Sequence, residues 1–115
     1  MKLLIAEDNF QMRQLLKALL NGLADEVYEC ADGSAALALY RQHQPDWVLM
    51  DIEMQPMDGL TASRQLHQSF PNARILIVTS HDDELLREQA RQAGVAGYVL
   101  KENLLALRQR LQTAA

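Results

Sequence analysis

A single cysteine, Cys30, stands in 115 residues. It cannot form an internal disulfide, so a reducing compartment fits the chain. Long apolar runs are absent too. None approaches the ~20 residues that span a bilayer, and Leu3-Leu4-Ile5-Ala6 is too short for a signal peptide. Positive charge is in deficit, with 11 Lys and Arg against 15 Asp and Glu and a formal charge of −4. That balance argues against gripping nucleic acid through a basic face. No glycine-rich phosphate loop follows the first apolar run, which disfavours nucleotide binding. Repeats, low-complexity segments and linkers are also missing. What remains is the expectation of one cytoplasmic domain over residues 1–115, without a membrane partner. Its 49% apolar residues suffice for an independent core.

What is present alternates. Lys2–Ala6 reads as a strand. Asn9 then caps a helix carrying Met12, Leu15, Leu16, Leu19, Leu20 and Leu23 at helical spacing, stopped by Asn21-Gly22. Glu26–Cys30 alternates polar and apolar, as an edge strand does. Asp32-Gly33-Ser34 opens a helix to about Gln42, and Trp47–Met50 is a buried strand. Asp58 caps a third helix with Leu60, Ala62, Leu66 and Phe70 inward. Arg74–Val78 is the most β-prone stretch. Ser80 with Asp83 reads as a capping box for a fourth helix that carries Leu85, Leu86, Ala90 and Ala93 and stops at Gly94. Gly97–Leu100 is the last strand, and Asn103 to Leu111 the fifth helix.

Five βα units in strict alternation predict an α/β fold, (βα)5, with a doubly wound five-stranded parallel sheet. The flavodoxin-like order 2-1-3-4-5 opens a crevice between strands 1 and 3. All strand C-termini then share one edge. That edge collects Glu7 and Asp8, Asp51, Thr79 and Lys101. Carboxylates gathered at low dielectric repel. A hard divalent cation relieves the repulsion, and an all-oxygen ligand set selects Mg2+, which favours one or two carboxylates plus phosphate oxygens. A carboxylate is itself a competent nucleophile toward phosphorus. Asp51, on the central strand, is the best-placed acceptor, with Lys101 and the Thr79 hydroxyl to hold phosphoryl oxygens.

Four motifs, Ile5-Ala6-Glu7-Asp8-Asn9, Asp51-Ile52-Glu53-Met54-Gln55-Pro56-Met57-Asp58-Gly59, Val78-Thr79-Ser80 and Gly97-Tyr98-Val99-Leu100-Lys101, lie in order at four strand ends. With them the sequence resembles the receiver domain of two-component response regulators, over essentially its whole length. The resemblance implies that Asp51 accepts a phosphoryl group from a sensor histidine kinase or phosphotransfer protein. It implies Mg2+ bound by Asp8, Asp51 and the Glu53 backbone carbonyl, with Glu7 acting through a water. It makes Thr79 and Tyr98 the switch that reshapes the face of the fourth helix, fifth strand and fifth helix for an output domain or homodimer. Direct nucleic-acid contact by this domain is not implied. The kinase would dock around Gln11, Met12, Arg13 and Leu16. Such a domain is a phosphoacceptor assisting its own phosphorylation and dephosphorylation, not an enzyme of another substrate.

Two departures from the family pattern stand out. Pro56 comes one place late, after Gln55. Glu102 follows Lys101 where the family often has a proline in cis. A cis bond to a non-proline residue costs ~2.5–4 kcal/mol, so this peptide is either strained or trans. An acidic residue here is associated with regulators carrying a C-terminal helix-turn-helix domain. Two rival functions share the same residues: a Mg2+-dependent small-molecule phosphatase or phosphotransferase, and an unphosphorylated binding module. The first lacks an insertion long enough to cap a substrate. The second would have lost some of the acidic pair, acceptor and lysine, all of which are present.

Overall fold

The computed structural model describes residues 1–114. Its strands are β1 (Lys2–Ala6), β2 (Glu26–Cys30), β3 (Trp47–Met50), β4 (Ile75–Thr79) and β5 (Gly97–Leu100). Its helices are α1 (Phe10–Leu19), α2 (Gly33–His43), α3 (Gly59–Ser69), α4 (Glu84–Gln92) and α5 (Leu104–Ala114), the last preceded by a 3-10 turn over Lys101–Asn103. All strand pairs are parallel, in the expected order β2-β1-β3-β4-β5. None of the described helices is long and apolar enough to cross a membrane.

The strands of the sheet centre are almost entirely apolar, apart from Lys2 and Thr79 at their ends, because both faces are covered. Leu3 and Ile5 meet Leu16 and Leu20 of the α1 segment and Leu107 and Leu111 of α5 on one side. Leu4 and Ala6 meet α2 and α3, through Ala36, Tyr40, Leu60, Ala62 and Leu66, on the other. The two edge strands, β2 and β5, are partly exposed.

Side-chain caps set the helix starts. Asn9 Oδ1 accepts from the Met12 amide at 2.8 Å, Asp32 Oδ1 from Ser34 and Ala35, and Asp58 Oδ1 from Thr61 at 2.8 Å. Each satisfies an amide that has no carbonyl partner in the first turn. The structure corrects the fourth helix. Asp83, not Ser80, is its cap, accepting from Leu85 and Leu86, so residues 80–82 stay irregular. Leu85 is 66% exposed while Leu86 packs against the core. Successive residues differ by about 100° around a helix, and here that turn carries Leu85 to the solvent side while Leu86 faces the core.

Three boundaries also move. α1 ends at Leu19, and residues 20–22 turn through Gly22, whose φ is +89°. β4 starts at Ile75, leaving Arg74 free to lay its guanidinium over the Trp47 ring at 4.7 Å. Asn103 lies in the 3-10 turn, not in α5. Gln55–Pro56 is a cis peptide; Lys101–Glu102 is trans.

Candidate functional site

The register of β1 on β3 pairs Ala6 with Met50, so the residues that follow, Glu7 and Asp51, leave the sheet side by side. The Asp51 amide still donates to the Ala6 carbonyl at 2.9 Å. Carboxylate oxygens of Glu7, Asp8 and Asp51 lie within 4.8 Å of one another. Glu7 is 2% exposed and Asp51 6%, whereas Asp8 faces solvent. Lys101, at the end of β5, reaches over to them. Its Nζ is 2.6 Å from Glu7 Oε1 and 3.4 Å from Asp51 Oδ1. Glu7 is therefore half of a buried ion pair.

Burial and the neighbouring Glu7 charge push the Asp51 carboxyl up to about 7, against the pull of Lys101. Asp8 is raised by its own desolvation and by Glu7. Burial works against ionised Glu7 as well, but Lys101 and hydrogen bonding from Asp51 outweigh it, and Glu7 stays below the usual carboxylate range. Lys101 loses hydration, yet its acidic neighbours hold it above the usual lysine range. One cation thus serves three acids. The Lys101 contact to Glu7 Oε1 is off-axis, and that buried oxygen has no aligned donor. Two buried carboxylates and a third at the rim form a donor set that fits a hard divalent cation.

Thr79 is fully buried at the end of β4. Its Oγ1 accepts from the His81 amide at 3.2 Å. It therefore shapes the turn after β4 and does not cap α4, and its own proton remains free to donate. Tyr98 donates its hydroxyl to the His81 carbonyl at 2.7 Å, with the Arg87 guanidinium 4.5 Å from its ring. Thr79 and Tyr98 thus touch the same residue. The His81 ring in turn meets the Glu53 carboxylate at the mouth of the site.

Glycine 59 belongs to the site, although its sequence context reads only as a turn. A Cβ there would lie 1.8 Å from the Asp51 carbonyl oxygen, and its amide closes the loop onto Ile52 O at 2.9 Å. Gly33 supports the same loop. Its amide donates to Met57 O at 3.0 Å, and a Cβ would crowd Met57 and Ala62. The usable signal was the Asp58-Gly59 pair, since glycine is the residue that lets backbone approach backbone.

The expected docking patch on α1 needs correction. Leu16 is 1% exposed and packs in the core, and Arg13 is turned inward. The residues that α1 presents to solvent are Phe10, Gln11, Gln14, Leu15 and Ala18.

A family profile described as "Response regulator receiver domain" matches residues 3–112. The chain belongs to that family. It is 40% identical over 104 residues to the oxygen regulatory protein NreC of Staphylococcus carnosus (strain TM300), covering 88% of this chain and 48% of that protein. It is 35% identical over 102 residues to the chemotaxis protein CheY of Bacillus subtilis (strain 168), covering 87% and 84%. A DNA-binding response regulator of the LuxR family from Staphylococcus aureus superimposes with a TM-score of 0.86 at 30% identity, over 98% of this chain and 94% of that one. The chain spans about half the length of the first curated relatives it matches. The family, the fold and the part the chain plays, a receiver domain in two-component signalling, are those expected from the sequence.

Proposed function

We propose that Asp51 is the phosphoacceptor of this receiver domain. One observation carries the reading: a buried carboxylate stands beside a second buried carboxylate and a lysine, at the sheet edge where Thr79 also ends its strand. An Asp51 oxygen attacks the phosphorus of the donor, a phosphohistidine of a sensor kinase or phosphotransfer protein. A new O–P bond forms, the P–N bond breaks, and the imidazole leaves with the electron pair. Lys101 and the Thr79 hydroxyl hold the transferred oxygens. Asp8, Asp51 and the Glu53 carbonyl, with Glu7 through a water, are the residues that would hold Mg2+. The ion supplies neutralisation of charge on the phosphoryl oxygens when bound. Residues 1–115 act as a single domain in this scheme.

The same geometry suggests how the signal leaves. If Thr79 turns to the phosphoryl group, its bond to the His81 amide is lost, and His81 also anchors Tyr98. Movement is thereby passed to the α4–β5–α5 face, which would meet an output domain or a second copy. The similarity to a DNA-binding response regulator favours a DNA-binding output domain over a small-molecule substrate. The kinase would dock on the exposed side of α1.

The test is incubation with acetyl phosphate and Mg2+, read by intact mass. One added phosphoryl group is expected, absent without Mg2+ and absent in Asp51→Asn. An unmodified wild type would refute the reading, and so would an adduct that persists in the variant.

A further inference from the structure

We infer that Arg13 is a positioning residue for the two acids of β1, and that it sets the affinity of the site for its divalent cation. The inference rests on the proposed metal site. Its basis is a single peptide. β1 ends at Ala6, so the Glu7 carbonyl has left the sheet and has no strand neighbour. Arg13, one turn into α1, takes that place, with Nη1 donating to Glu7 O at 2.7 Å. On the other side the Glu7 amide donates to Cys30 O at 3.0 Å. The carbonyl that Arg13 holds belongs to the peptide joining Glu7 to Asp8. Turning that peptide would turn both carboxylates, one buried and one at the rim.

Arg13 is itself well held. Its Nε donates to Glu29 Oε1 at 3.2 Å, Lys17 Nζ lies 2.9 Å from Glu29 Oε2, and the Phe10 ring packs 5.5 Å from the guanidinium. Only 17% of the Arg13 side chain is exposed. A planar guanidinium offers separate nitrogens in a fixed fork to Glu7 and Glu29; an ammonium brings the same charge on one nitrogen without that fork. The bland alternative is an ion-pair network that only joins α1 to β2. The two readings differ in sign. By charge alone, removing a cation near the acidic cluster strengthens binding of another cation. A positioning role requires weakening, because groups that orient metal ligands typically contribute 10–100-fold in affinity.

The experiment is a calorimetric Mg2+ titration of wild type, Arg13→Ala, Arg13→Lys and Glu29→Gln at one pH and ionic strength, with thermal melts alongside. Arg13→Ala should bind Mg2+ about tenfold more weakly, and Arg13→Lys should fall between it and wild type. Glu29→Gln leaves the bond to Glu7 in place and should stay within about twofold. In metal-free protein, the Glu7 and Asp8 amide resonances should move in Arg13→Ala. A folded Arg13→Ala that binds Mg2+ as tightly as wild type, or more tightly, overturns the inference, as does equal weakening in Glu29→Gln. Should Arg13→Ala not fold, Arg13→Lys carries the test, and wild-type affinity there overturns it. Wild type that binds no Mg2+ instead defeats the proposed metal site itself. Unmoved Glu7 and Asp8 amides then defeat the positioning role separately.

Discussion

Replacing Asp51 by Asn should stabilise the metal-free protein, and only above acidic pH. Folding takes this carboxyl from an ordinary 3.8 up to about 7, chiefly through burial and then through Glu7. A raised carboxylate pKa means that the folded state binds the proton more tightly than the unfolded chain does. Below pH 3.8 both states are protonated, and the site carries no penalty from Asp51. As pH rises toward 7 the unfolded chain ionises first, and stability falls. Above 7 the penalty is complete. The interval corresponds to ~4 kcal/mol at 1.36 kcal/mol per pH unit. The site opens at the sheet edge, so water and counter-ions take up part of it. About 2 kcal/mol is the expected gain for Asp51→Asn at pH 8, or roughly 8 °C in Tm for a domain of this size.

The assay is chemical unfolding of both proteins in EDTA at steps from pH 4 to pH 8, followed by circular dichroism. The curves should converge near pH 4 and diverge as pH rises. Mg2+ should then reverse the ranking. At a hundred times its Kd it adds ~2.7 kcal/mol to the protein that binds it, and Asp51→Asn has lost a ligand. A gap independent of pH would refute the reasoning. So would a variant less stable than wild type at pH 8, which would mean that Lys101 attracts Asp51 more than burial and Glu7 disfavour it.

Removing the lysine has the opposite effect: Lys101→Met leaves Glu7 buried and unpaired, and should lower metal-free stability by ~3 kcal/mol in urea titrations while tightening Mg2+ binding. Gly59→Ala forces a Cβ to 1.8 Å from Asp51 O, and should cost at least ~3 kcal/mol and slow phosphorylation by acetyl phosphate; a near-neutral variant would show that the loop yields. Leu16→Ala should destabilise by ~2–5 kcal/mol, whereas Leu15→Ala should leave unfolding unchanged and weaken kinase docking. Asp83→Ala should lose about 1 kcal/mol in a thermal melt, while Ser80→Ala loses none.

Local patterns were readable where one element decides its own fate. β3 and β5 fall where Trp47–Met50 and Gly97–Leu100 place them, because a continuous apolar run between turn formers has few other uses. Alternation implied a parallel doubly wound sheet, and 2-1-3-4-5 was the natural one of its common strand orders. Errors arose where two local signals competed. Ser80 and Asp83 both offer an oxygen to a helix start, and only the path of the chain after Thr79 decides between them. Leu15 and Leu16 both lie at helical spacing, and only the position of the sheet tells which one is buried. The site shows the same division. Which acids and which lysine reach the C-terminal edge follows from topology. That Glu7 is buried on Lys101, that Gly59 touches the Asp51 backbone, and that Arg13 replaces a missing strand neighbour of Glu7 are contacts between elements. Such contacts leave no periodicity in the chain. An arginine one turn into an amphipathic helix reads as surface until the carbonyl it serves is seen to lack a partner. The sheet edge that gathers the acids is also where β1 runs out of backbone partners, so a residue from α1 has to finish the hydrogen bonding. This ties the helix whose outer face would receive the kinase to the peptide that orients Glu7 and Asp8. Mutations on α1 are therefore expected to divide into two groups: Gln11 and Leu15 changing partner affinity at constant Mg2+ binding, and Arg13 changing Mg2+ binding with or without a partner.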